Sequence, residues 1–153
     1  MGSIDKQKIK EENEKKKAYL RSYLGSVRRV NRIQEEIPEI RAMKMGVSVN
    51  NDRMPHGGGQ SDLSNYAAML DEMERDLEWE RYNRIRLYQE ISSRIDEIKV
   101  DNERDVLFYR YIKGLDWWEI AERMNYSERQ IHRFHGKALT HFALPEKDVS
   151  ECQ

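Results

Sequence analysis

At 153 residues the chain has room for one ordinary domain, or for one small domain with helical extensions. Charged residues make up 36% and the mean hydropathy is −0.96, with apolar residues spaced out, which excludes a large core and any membrane-spanning run of about 18 apolar residues. The net charge of −1 conceals a gradient: residues 1–45 carry twelve Lys/Arg against seven Asp/Glu, residues 46–100 seven against eleven, and the remainder eight against ten. Contacts with nucleic acid must therefore come from local basic clusters.

The first stretch, "MGSIDKQKIKEENEKKK", is charged where a signal peptide needs an apolar segment, and Lys6 stands where a myristoylation motif wants Ser or Thr. Cys152 is a single cysteine, so no disulfide forms within the chain. A cytoplasmic protein is expected. Residues 1–45 read as one long helix, because Leu20, Leu24, Val27, Val30, Ile33 or Gln34, Ile37 and Ile40 recur every three or four residues like a coiled-coil seam. Pro38 is expected to kink or restart it. Residues 46–61, with "MPHGGG" at Met54–Gly59, lose the period and read as a flexible linker. The triple glycine has neither a preceding strand nor a following Gly-Lys-Ser/Thr, so it is not read as a phosphate loop.

Residues 62–100 are expected to form a second long helix, which Asp62 can cap. Its stripe, Leu63, Tyr66, Leu70, Met73 and Leu77, is expected to change phase near Arg81 and resume at Ile85, Tyr88, Ile91 or Ser92, Ile95 and Ile98. Such a stripe needs a partner: either the N-terminal helix of the same chain or a second copy.

Residues 101–143 carry the specific signal, followed by a tail over 144–153. Asp105–Ile112 reads as a largely buried helix stopped at Gly114, with Leu115 as its apolar follower. Asp116 with Glu119, and Ser127 with Gln130, are capping boxes that start helices near Trp117 and Glu128. Between them Met124-Asn125-Tyr126 leaves a short turn, and Asn tolerates left-handed angles. This is helix-turn-helix spacing. Trp117, Ile120, Ala121 and Met124 should face inward, as should Ile131, Phe134, Ala138 and Phe142, with Arg129, Arg133, Gly136 and Thr140 opposite. The fold class expected is all-α, long coiled-coil-like helices followed by a three-helix domain.

The outward face of the last helix matches duplex DNA chemically. Arg129 and Arg133, one turn apart, suit a guanine edge or a phosphate; His132 lies beside them, Gln130 and Lys137 flank them, and Ser127 sits at a phosphate-favouring helix N-terminus. Glu128 is either a helix-dipole partner or a cytosine contact. Gly136 costs about 1 kcal/mol relative to Ala in mid-helix, which a close approach of DNA backbone or a local packing need would explain. His135, bordering Phe134 and Leu139, reads as a half-buried packing residue. Trp118 is either a support against the long helix or a contact to a partner. Glu128, His132 and His135 share a helical side, but no further metal ligand is placed, and no metal or other cofactor is expected. No nucleophile motif or phosphate loop occurs, so no enzyme is read.

"RYIKGLDWWEIAERMNYSERQIHRFHGKAL" resembles region four of bacterial sigma factors, the helix-turn-helix that reads promoter DNA. It is similar, more closely, to the C-terminal domain of the ArpU and RinA type transcriptional regulators of phages and prophages of Gram-positive bacteria. The layout of helix, Pro/Gly-rich break, long helix, "RYI-x-G" and "EIA" is also similar. The resemblance implies a phage-encoded regulator of late packaging or lysis genes in a bacterial host cell, reading double-stranded DNA, with host RNA polymerase as a candidate partner. A homodimer joined through the long helices is expected. Two other readings stay open: a small-terminase-like packaging protein, and a helical scaffold that binds RNA polymerase without reading DNA.

Overall fold

The computed structural model describes residues 2–49 and 59–146, and every element among them is helical. They are α1 (Gly2–Val49), α2 (Gly59–Asp96), α3 (Asp101–Leu107), a π-helical segment (Phe108–Ile112), α4 (Trp117–Met124) and α5 (Glu128–His141). Pro38 lies inside α1, which neither ends nor restarts there. Of the expected linker 46–61, residues up to Val49 belong to α1 and those from Gly59 to α2; what lies between, like most of the tail, is outside the described residues.

The chain divides into two compact units. In the unit formed by residues 25–86, Val30 and Ile37 of α1 are buried, and Ile33 is half-buried where Gln34 is exposed. Arg29 Nε donates to Glu80 Oε2 at 3.2 Å and Arg41 Nη2 to Glu74 Oε1 at 2.6 Å, an antiparallel pairing of the two helices within one chain. Tyr66 donates its hydroxyl to the Ile40 carbonyl at 3.3 Å. The open choice between a partner in the same chain and one in a second copy is thus met here by the same chain.

The expected phase change near Arg81 does not occur. Tyr66, Leu70, Met73, Leu77, Glu80, Arg84, Leu87 and Ile91, spaced alternately four and three, are all buried or half-buried. The stripe continues through two half-buried charged residues, of which Glu80 pairs with Arg29 of α1. Ile85 and Tyr88, expected in the seam, are instead 58% and 43% exposed, as is Leu63 at 52%.

The second unit contains residues 1–24 and 87–153. Leu20, Tyr23, Leu87, Ile91, Ile95 and Ile98 are buried there together with Leu107, Tyr111, Ile112 and Phe142. Tyr19 donates its hydroxyl to Glu90 Oε1 at 2.6 Å, and its ring lies 6.0 Å from that of Phe142. Lys16 is buried and donates from Nζ to the Leu139 carbonyl in the last turn of α5 at 2.8 Å. A cation there meets both an unpaired carbonyl and the negative end of the helix dipole.

Candidate nucleic-acid interface

Two backbone devices set the angle between α4 and α5. Asp116 caps α4, its N–H donating to Glu119 Oε2 at 2.9 Å. Asn125 then takes left-handed angles, φ 58° and ψ 42°, and Tyr126 N–H reaches back to the Ala121 carbonyl at 3.1 Å. Ser127 opens α5, its hydroxyl accepting from the Gln130 N–H at 3.2 Å. Among the described residues the return bond from the Gln130 side chain is not formed, so the second capping box is half made.

Val106, Ile120, Ala121 and Ile131 form the core of this region, with Tyr109, Leu115, Trp117, Met124 and Phe134 packed around it. Ile131, Ala138 and Phe142 are buried as their helical phase predicts, joined by Leu139 and His135, whereas Phe134 is half-buried with its ring edge-on to Tyr126 at 4.9 Å. Gly114, φ 71°, ends the preceding segment in a conformation that a side chain would strain, and a Cβ there would lie in ordinary contact with Leu24 Cδ1 at 3.4 Å.

The helix before the turn differs from its expected form. It starts at Asp101 rather than Asp105, and its second half is π-helical, with the Lys113 N–H bonded to the Phe108 carbonyl at 3.1 Å. The wider turn holds two side chains that matter to α5. Arg110 lies 4.4 Å over the Trp117 ring while its Nη1 donates to the Leu115 carbonyl at 3.0 Å. The Tyr111 hydroxyl meets His135 Nε2 at 2.8 Å. Burial, with the positive charges of Lys17, His132, Arg110 and Arg21 nearby, pushes His135 down to about 4, and burial raises Tyr111. A neutral imidazole and a protonated tyrosine therefore share one proton across this contact, the tautomer of His135 deciding which of them donates.

Of the sequence-predicted interface, Ser127, Glu128, Arg129, His132, Arg133, Gly136 and Lys137 are exposed along α5, and Gln130 is half-buried. Arg129, Arg133 and Lys137 form no salt bridge among the described residues. A Cβ on Gly136 would meet nothing within 4 Å, so packing within the chain does not require glycine. His132 is exposed but tied: its ring lies 4.4 Å from that of Trp117, which also stands edge-on to His135 at 4.9 Å. Trp118 is 57% exposed. Arg110 is the residue that sequence reasoning missed, since its contact with Trp117 depends on the π turn and leaves no trace in a 3.6-residue period. Among the described residues no three His, Cys, Asp or Glu side chains gather as metal ligands would.

The arrangement presents a short helix, rigidly crossed by another, whose free face carries two arginines, a lysine and an open glycine. Such a face fits the major groove in size and in hydrogen-bonding capacity. Comparison with protein families matches residues 47–142 to a family described as "Protein of unknown function (DUF1492)". No curated protein and no solved structure matches.

Proposed function

The chain belongs to the DUF1492 family, and from that premise we propose that it is a sequence-specific DNA-binding transcriptional regulator which reads duplex DNA through α5. The observation that carries the proposal is the exposed basic face of that helix, with Arg129, Arg133 and Lys137 unpaired around a glycine that the fold itself does not need. Arg129 and Arg133 contact base edges or phosphates, Lys137 a phosphate, and the N-terminus of α5 with Ser127 a further phosphate. Trp117, held between Arg110 and the two histidines, fixes the angle at which α5 enters the groove. Resemblance to the ArpU and RinA type regulators supports a phage-derived protein acting on late packaging or lysis genes beside host RNA polymerase. One α5 offers few contacts, which favours two copies on half-sites about 34 Å apart.

Selecting bound fragments from the source genome tests the reading. Recovery of a common sequence motif is expected, and recovery of none overturns it. On the selected duplex, Arg129→Ala and Arg133→Ala should each weaken binding by about 1–3 kcal/mol if a base contact is lost, or reduce the salt slope by about one if a phosphate contact is lost. Fluorescence anisotropy across salt, with circular dichroism to verify helicity, separates these outcomes.

Gly136→Ala provides a second check with opposite signs in its two readouts. The substitution fills open space on a helix, so thermal stability should rise by up to about 1 kcal/mol. Affinity for the duplex should nevertheless fall, because the added methyl group stands where the DNA approaches. A more stable variant with unaltered affinity would remove Gly136 from the interface.

A further inference from the structure

Beyond the face of α5, the unit that holds it contains a second basic stripe. Lys6, Lys10, Lys17 and Arg21 lie on α1 at spacings of four, seven and four, within about 60° of one another at 100° per residue. We propose that this stripe is a DNA-backbone contact which extends the reach of α5 onto the flanking duplex. The inference rests on the DNA-binding function proposed above.

Its position follows from contacts within the unit. Lys16 pins α1 to the Leu139 carbonyl and Tyr19 packs its ring beside Phe142, so α1 crosses the C-terminal end of α5. Lys17 is half-buried and Arg21 exposed beside the buried Lys16 and Leu20, so the stripe runs alongside the face of α1 from which Lys16 reaches α5. From this crossing the first turns of α1 project outward: of residues 2–15 only Asn13 is even half-buried. From Lys6 to Arg21 the stripe is about 22 Å long, the rise of roughly six base pairs.

Charge and polarity identify the occupant. Neither Lys6 nor Lys10 forms a salt bridge among the described residues. Glu14 sits at the edge of the stripe, paired with Lys17 at 3.1 Å and held below the usual carboxylate range by that bond, by Lys17's charge and by the charges of Arg21 and Lys10. Glu12 serves the tether, 3.7 Å from Lys16. Asp5, Glu11 and Glu12 lie about 100° or more round from their nearest stripe lysine. The exposed apolar residues here, Ile4 at 64% and Ile9 at 57%, fall on different sides and make no continuous face for a protein helix. Regularly spaced cations without apolar anchors suit a regularly spaced polyanion.

The test uses the full chain and a labelled mixed-sequence duplex of about 30 base pairs, since phosphate contacts are independent of sequence. Anisotropy titrations from about 50 to 200 mM salt should give Lys6→Gln/Lys10→Gln a log-log salt slope shallower than wild type by about 1.8, two phosphates at about 0.9 each. The Lys17→Gln/Arg21→Gln pair should lose a similar amount. Lys6 and Lys10 are exposed and unpaired, so the first variant folds as the wild type does, and circular dichroism confirms it. An unchanged slope in that variant overturns the proposal. If the wild type binds the duplex and the Arg129 and Arg133 variants weaken it, that result overturns the stripe alone; if the wild type binds no duplex, both readings fall.

Discussion

Ile131→Ala and Ile120→Ala should each destabilise the protein by about 2–5 kcal/mol. Both residues are fully buried in the cluster they share with Val106 and Ala121. Truncation removes their apolar contacts and leaves a cavity that two short, crossed helices cannot readily close. A small core has little stability to spare, so the C-terminal helices should melt well below the wild-type midpoint. Phe134→Ala should cost less than either, because Phe134 is half-buried at the rim. Gln130→Ala should cost least, its main-chain N–H being the capped group. Thermal melting of the four variants checks the order. A Gln130 variant less stable than the Ile131 variant would invalidate the assigned faces of α5.

The second large effect is a loss of stability on acidification, traceable to His135. Its folded value of about 4 lies below the ordinary 6.5, because burial and the charges of Lys17, His132, Arg110 and Arg21 oppose a proton. As pH falls below about 6.5 the unfolded chain takes up a proton that the folded chain refuses. The stabilisation is therefore complete above that pH and is lost progressively as pH falls to about 4, on the order of 3 kcal/mol. Protonation also makes both ring nitrogens donors, so that the Tyr111 oxygen can then only accept from Nε2. Melting curves from about pH 7 to pH 4 should fall more steeply for wild type than for His135→Leu, which keeps the carboxylate titrations and removes this one. Parallel curves would show that the imidazole is not the titrating group.

The ends and faces of α4 and α5 were legible in the sequence because they are local. Asp116, Asn125 and Ser127 act on backbone within four residues of themselves, and the apolar positions of α5 follow one period. Candidate interface residues were legible for the same reason, as the complement of that core. The seam of α2 was misread where Glu80 and Arg84 occupy it, since hydropathy counts the charged end of a side chain and not its stem. His135 was read as half-buried but is buried, because its surroundings come from Tyr111 and Trp117, which are remote in sequence. Arg110 over Trp117 and Lys16 beneath Leu139 were illegible, one for want of regular geometry and the other because 123 residues separate the partners.

The π-helical segment has a consequence for how chains of this kind can vary. A widened turn holds one residue more than an α-helix of the same height. Excising a single residue between Phe108 and Ile112 would let the segment relax to ordinary pitch, five residues in the wide turn and four in the ordinary one sweeping nearly the same angle, so the helix before it would keep its phase relative to α4. The segment works as slack in the chain, taking up one residue without re-aiming the helices on either side. Related chains that lack one residue here should still point the outward face of α5 in the same direction.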